Sequence, residues 1–335
     1  MSNEKSNYET YNERLVTPSS NELSNDGTHV INHDLGKNLH WLHGLEEYLT
    51  HIQHPHLEKF HDLKRALMYG NIWHIKDLIT SEIHRGYTDL TDEFLNIILA
   101  HYTGYEHINH RKVLQYVAHS IDSEYIRKIS SWSIKWQHRA NLNDHFSRGQ
   151  MKSKCWMVEQ LNEIYQNQYL GTIAHYGGWY ATVAQNIFEQ FRVKNYYNLE
   201  VDPDCIEIAD DFNYDQTVGW KFKSVQQDVG DITWKDSNSF DVRIENRSGR
   251  MAPTTITPDL IINTSCEHMN EDWFNNIPTG KVVCLQTNDY FENEQHSNCC
   301  RDLDDAIAKY PMTEIYYSGE IDTHLYNRFM IIGEK

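Results

Sequence analysis

Two adjacent glycines, Gly177 and Gly178, interrupt the stretch "LGTIAHYGGWYATVAQNIFEQF" (170–191) between an apolar run and a run of helical period. Glycine lets backbone come close to a ligand, and the N-terminus of a following helix offers unpaired N–H groups. A tight turn with no ligand would need the same residues. Further on, "NLEVDPDCIEIADDFN" (198–213) brings Asp202 to the end of a second apolar run. A carboxylate there can accept two hydrogen bonds from a ribose diol. Pro203 then opens a helix, so Asp202 has a competing role as that helix's N-cap. Asp228, in "VQQDVGD" (225–231), is placed to accept from an adenine amino group, with Asp231 as its rival. The chemistry these residues suggest is recognition of a nucleotide-like ligand. Two glycines, not three, argue against a dinucleotide pyrophosphate cradle.

A second polar group follows a later apolar run, in "INTSCEHMNEDWF" (262–274). Asn263, Ser265, Glu267 and His268 crowd together there, and Glu267 or His268 could take a proton from a substrate. The same letters also spell a capping box, with Thr264 or Ser265 answered by Glu267. The long polar and aromatic stretch "LQTNDYFENEQHSN" (285–298) suits a substrate loop and supplies Gln286, Asn288, Tyr290 and His296 as further candidates.

These residues need elements to hold them. From residue 151 onward the pattern alternates between strands and helices. Strands are expected near 170–175, 196–201, 220–225, 259–265 and 281–288. Helices are expected at 147–165, 179–191, 204–213, 270–277 and 300–310. Such alternation implies a parallel sheet covered on both faces. Two strands at 313–321 and 326–334 are joined too tightly for a crossover and should pair antiparallel. "NRSGR" (246–250) reads as the turn of an inserted hairpin. Residues 28–150 carry apolar positions at helical spacing over 39–52, 57–70, 71–86, 92–104 and 110–121, with Gly70, Gly86 and Gly104 at helix ends. The organisation expected is a tail over 1–27, a helical domain over 28–150 and an α/β domain over 151–335.

The order of glycine turn, acidic second strand, acidic loop after the third strand and terminal antiparallel hairpin resembles the class I S-adenosylmethionine-dependent methyltransferases over about residues 165–335. The resemblance implies a Rossmann-like, doubly wound, mostly parallel seven-stranded sheet with its last strand antiparallel, preceded here by an all-α N-terminal domain. It implies S-adenosylmethionine as cofactor, held by His175, Gly177, Gly178, Asp202, Asp228 and Asn263. It places the methyl acceptor, a small molecule or a protein, against Asn263, Glu267, His268 and Tyr290, with the helical half on the acceptor side. His175 stands where the family commonly has an acid, and "NTSCEHM" replaces the Asn-Pro-Pro-Tyr of amino-directed nucleic-acid enzymes. Another S-adenosylmethionine reaction, such as aminocarboxypropyl transfer or cleavage, and an inactive binding module of the same fold remain open alternatives. A nicotinamide-dependent dehydrogenase fits the glycine turn less well.

Composition narrows the partners. The 335-residue chain carries a net charge of -18, which argues against an extended nucleic-acid surface. No run approaches a membrane span, and the polar N-terminus has no secretory apolar region. Six cysteines without a C-x-x-C pair read as reduced thiols of a cytoplasmic protein. Most of the 20 histidines lie in the helical half. His51, His54, His56 and His61 lack an ordered ligand pattern, and no metal site is expected. Self-association is left open.

Overall fold

A computed structural model describes residues 39–68, 110–246 and 248–335. The expected tail over 1–27, the helices at 71–86 and 92–104, and Gly70, Gly86 and Gly104 lie outside the described residues. The chain divides into two compact units, Met1–Lys152 and Ser153–Lys335.

The described part of the first unit is helical. Helices α1 (Trp41–His51), α2 (Leu57–Met68) and α3 (His110–Ile121) occupy expected positions. α4 (Glu124–Lys135) and the single turn α5 (Leu142–His145) lie inside the expected helical domain, at positions where no individual helix was delimited. α4 has a clear start signal in Ser123, whose hydroxyl accepts from the Ile126 N–H at 3.4 Å. α1 buries Trp41, Leu42, Leu45 and Leu49 on one face. Gly44 is on that helix because a Cβ would sit 1.9 Å from the Phe146 carbonyl oxygen. The singled-out histidines make ordinary polar contacts. His56 Nδ1 lies 2.9 Å from the Ile121 carbonyl, His54 Nδ1 accepts from the His56 N–H at 3.1 Å, and His61 Nε2 lies 3.4 Å from Glu46 Oε1.

The second unit is built on a seven-stranded sheet. Its strands are β1 (Tyr169–Tyr176), β2 (Arg192–Glu200), β3 (Phe222–Gln226), β6 (Leu260–Asn263), β7 (Val282–Asn288), β8 (Glu314–Asp322) and β9 (Asn327–Glu334). The order is β3-β2-β1-β6-β7-β9-β8. β9 runs antiparallel to both of its neighbours, and the other pairings are parallel. This is the mostly parallel sheet with an antiparallel last strand that the resemblance implied. β4 (Phe240–Glu245) and β5 (Met251–Ile256) form the expected inserted hairpin, a separate antiparallel pair. β2 begins at Arg192, earlier than expected, because Val193 already alternates inward before the aromatic run.

Both sheet faces are covered. Ile173, Ile262, Met330 and Ile332 pack with Met157, Val158 and Leu161 of helix α6 (Arg148–Ile164) on one face. Ala174, Ile261, Val283, Phe329 and Ile331 pack with Trp273, Phe274 and Tyr310 on the other. The near-continuous apolar strands follow from this two-sided burial. Among the described residues no helix is long and apolar enough to cross a membrane. All six cysteines are buried, and none is in a disulfide among the described residues.

Candidate functional site

Register puts the strand ends at one level. Tyr176 pairs with Leu199 on one side and with Asn263 on the other, so the turns after β1, β2 and β6 leave the sheet together. This edge, at the carboxyl ends of parallel strands flanking the crossover, is where doubly wound sheets bind ligands.

The turn after β1 is tightly determined. Gly177 has φ +61°, and its N–H donates to the Leu199 carbonyl at 2.8 Å. Gly178 is required by packing, since a Cβ would lie 2.2 Å from Asn198 Oδ1 and 2.6 Å from His175 Nδ1. Trp179 and Ala181 follow with φ of +52° and +46°. Two non-glycine residues in the left-handed region within one turn are strained backbone, of the kind that clusters at ligand clamps. The helix it leads into spans Val183–Gln190.

Glu200, which the sequence reading passed over, is the acid in contact with this turn. It ends β2 and is buried. Its Oε2 accepts from the Trp179 N–H at 2.8 Å and its Oε1 from the Asp202 N–H at 3.1 Å. Each oxygen keeps further acceptor capacity. Asp202 is exposed and caps the helix Pro203–Phe212, its Oδ1 accepting from the Asp204 N–H at 2.9 Å. A signal for Glu200 was present: an acid at the end of the alternating run, with Asp-Pro after it as an independent helix start.

His175 is placed inside the fold. Its buried Nδ1 lies 2.7 Å from the Tyr196 hydroxyl and its Nε2 3.4 Å from Thr264 Oγ1. Burial, with a smaller contribution from Lys154, pulls its pKa down to about 3, so the ring is neutral. It braces the strands beneath the turn and does not reach past them. Asp228 is exposed at the end of β3, and its Oδ1 accepts from the Gly230 N–H at 2.9 Å. Asp231 is also exposed, in the short 3-10 turn Val229–Asp231. Asn263 is buried at the end of β6. Its Oδ1 accepts from the Ser265 N–H at 2.9 Å and its Nδ2 faces the Met269 sulfur at 3.2 Å.

The loops after β6 and β7 converge on Glu267. The capping box is not formed: Cys266–His268 is a short 3-10 turn, and Ser265 makes no side-chain cap bond. Glu267 instead turns inward, where its Oε1 accepts from Arg328 Nη1 at 3.0 Å and from Asn288 Nδ2 at 2.7 Å. Arg328 also donates Nη2 to the Thr264 carbonyl. Burial lowers the Arg328 pKa, but Glu267, helped by Tyr326 and Cys266, more than offsets this, and the guanidinium stays above its usual value. Arg328 was not anticipated, because its strand reads as a plain apolar edge. The pairing of β7 with β9 sets Arg328 opposite Asn288, and only that register brings it to the site.

His268 is exposed and His296 half-buried, their rings edge to face with centroids 4.6 Å apart. Burial is the main cause holding the His296 pKa below its usual value. Tyr290 stacks on Tyr326 at 5.5 Å and meets His296 edge-on at 5.7 Å. Gln286 points into the core, donating to the Ser153 carbonyl at 2.9 Å. Glu267, His268 and His296 stand close enough to share a cation, a grouping the sequence reading did not foresee.

No family model and no curated protein matches the chain. Among solved structures, the N-methyltransferase NodS of Bradyrhizobium japonicum, in complex with S-adenosylhomocysteine, is similar at 9% identity over 62% of this chain and 98% of its own, with a TM-score of 0.41. The magnesium protoporphyrin IX methyltransferase ChlM of Synechocystis, with bound S-adenosylmethionine, is similar at 11% identity over 66% of this chain and 96% of its own, with a TM-score of 0.40. A candidate sarcosine dimethylglycine methyltransferase of Galdieria sulphuraria is similar at 12% identity over 41% of this chain and 46% of its own, with a TM-score of 0.31.

Proposed function

We propose that the Ser153–Lys335 unit binds S-adenosylmethionine and transfers its methyl group to a small-molecule or protein acceptor in a cytoplasmic setting. The observation that carries this reading is the contact between Glu200 and the turn after β1. It sets a buried carboxylate with spare acceptor capacity beside a strained turn, at the sheet edge where such ligands lie. Those features fit a ribose diol at Glu200, with the rest of the nucleoside running toward Asp228 beyond β3. Asp202, as a cap, supports the helix that follows β2. Gly177 and Gly178 shape the turn, and Asn263 fixes the loop after β6.

When bound, S-adenosylmethionine supplies an electrophilic methyl group on a sulfonium centre. The protein's part is alignment and exclusion of water, so a dedicated base is not required. Glu267 gives its charge to Arg328 and acts here as a positioning residue for the loops after β6 and β7. In this reading His268 and Tyr290, carried by those loops, meet the acceptor.

Calorimetric titration of the full chain with S-adenosylmethionine and S-adenosylhomocysteine tests the reading. One equivalent of each should bind, and a folded protein that binds neither overturns it. The locked Glu267 carboxylate favours a second reading, a binding module without turnover. Binding with no label passed from methyl-labelled cofactor to any candidate small molecule or protein would select it.

A further inference from the structure

Glu267, His268 and His296 each present one ligand atom, and the three atoms lie within 4.8 Å of one another. We propose that these residues form a binding site for a divalent transition-metal cation of the zinc type, with two imidazole nitrogens and one carboxylate oxygen as protein ligands. The inference stands on ligand geometry and is independent of methyl transfer.

The hydrogen bonds around the three side chains leave one potential ligand atom over on each. His268 Nδ1 lies 3.2 Å from the Gln295 carbonyl, and His296 Nδ1 lies 3.0 Å from the Tyr290 carbonyl. A carbonyl only accepts, so both Nδ1 atoms carry the proton in the neutral rings. Both Nε2 atoms then keep their lone pairs, in the tautomer a metal requires. A backbone carbonyl behind the distal nitrogen is also the usual outer support of a metal-bound histidine.

Glu267 shows the same division. Its Oε1 is taken by Arg328 and Asn288, while its Oε2 is buried with no hydrogen-bond partner. A buried carboxylate oxygen without a donor is costly, and a cation would satisfy it. Arg328 and Asn288 then hold the carboxylate by the oxygen that does not ligate, which separates the guanidinium charge from the cation. Bonds of about 2.0–2.2 Å in a tetrahedral site set ligand atoms roughly 3.3–3.6 Å apart. Small rotations of an exposed and a half-buried imidazole close the remaining gap. Two histidines and one glutamate leave a fourth position open, as in zinc sites that bind an exchangeable ligand. The backbone spacing helps, since Glu267 and His268 share one 3-10 turn and His296 arrives from the facing loop.

The test uses the full chain, purified without a polyhistidine tag and stripped with chelator. Co²⁺ is titrated in, its visible absorption is followed, and Zn²⁺ is then added in competition. One equivalent of Co²⁺ should give an intense visible spectrum that one equivalent of Zn²⁺ bleaches. His268→Ala and His296→Ala should each weaken binding by at least about 10²-fold, no less than the loss of an outer partner. Neither side chain is in the core, so circular dichroism should be unchanged. Combined His51→Ala and His61→Ala in the helical unit should leave the spectrum intact. A wild-type chain with no stoichiometric spectrum, a spectrum that survives both loop variants, or one abolished by the helical variants would each overturn the site.

Discussion

Glu267 and Arg328 form an ion pair of 3.0 Å with side-chain exposures of 3% and 2%. The pair ties the loop after β6 to the start of β9, at the level where β7 ends in Asn288. A buried charge that loses its partner is left uncompensated. Arg328→Ala should therefore lower the unfolding free energy by about 3–5 kcal/mol, whereas Glu267→Gln with Arg328→Met should recover part of that loss. Urea unfolding at neutral pH measures both. A cost for Arg328→Ala no larger than that of an exposed residue would show that the pair does not hold the loops.

Gly178 is confined by its neighbours and not by its backbone angles. A methyl group there must displace the Asn198 amide and the His175 ring, which are both buried. Gly178→Ala should destabilise the fold by about 1–3 kcal/mol, the range of core overpacking. Thermal unfolding would show it. A melting temperature equal to wild type would mean that the turn has room the structure does not show.

His175 should make stability depend on pH. The folded chain holds it neutral, with its pKa down to about 3, while the unfolded chain protonates it near the ordinary 6.5. Between those values the unfolded state binds more protons, so stability rises with pH. The contribution is complete above about 6.5 and is lost as pH falls toward 3, at up to roughly 1.4 kcal/mol per pH unit. His175→Gln removes this term. Urea unfolding at pH 7.5, 6 and 5 should show a shallower loss for the variant, and parallel losses would rule His175 out as the source.

The sheet was legible in the sequence because strands buried on both faces carry continuous apolar runs, and the short link at 322–327 left only an antiparallel closing pair. The first helical turn of α4 was equally marked by Ser123, but no glycine separated it from its predecessor, so its bounds were not drawn within the expected helical domain. At the site, sequence order identified loops that leave the sheet together, but not most of the contacts made within them. Asp202 and Glu200 are two residues apart, and which one faces the turn depends on where β2 stops. His175 has a metal- or ligand-binding side chain, yet strand alternation points it at Tyr196. Arg328 reaches Glu267 through a register between β7 and β9 that no local pattern encodes. The pairing of His268 with His296 depends likewise on two loops meeting in space.

Glu200 and Asp202 make opposite predictions, which together decide the cofactor pose. Glu200 touches the turn after β1, and its two oxygens each accept one backbone N–H. Asp202 is exposed and caps its own helix. If the ribose is held as proposed, Glu200→Gln should remove a charge-assisted contact worth roughly 1.5–3 kcal/mol and weaken S-adenosylmethionine binding about ten- to hundredfold. The amide can still accept from one N–H, so much of the turn's support survives. Asp202→Ala should leave affinity within a few-fold of wild type while costing about 0.5–2 kcal/mol of stability as a lost N-cap. Calorimetric titration with S-adenosylmethionine and thermal unfolding, applied to both variants, read the two effects separately. Affinity lost in Asp202→Ala but kept in Glu200→Gln would return the ribose to Asp202 and refute the pose argued from the end of β2.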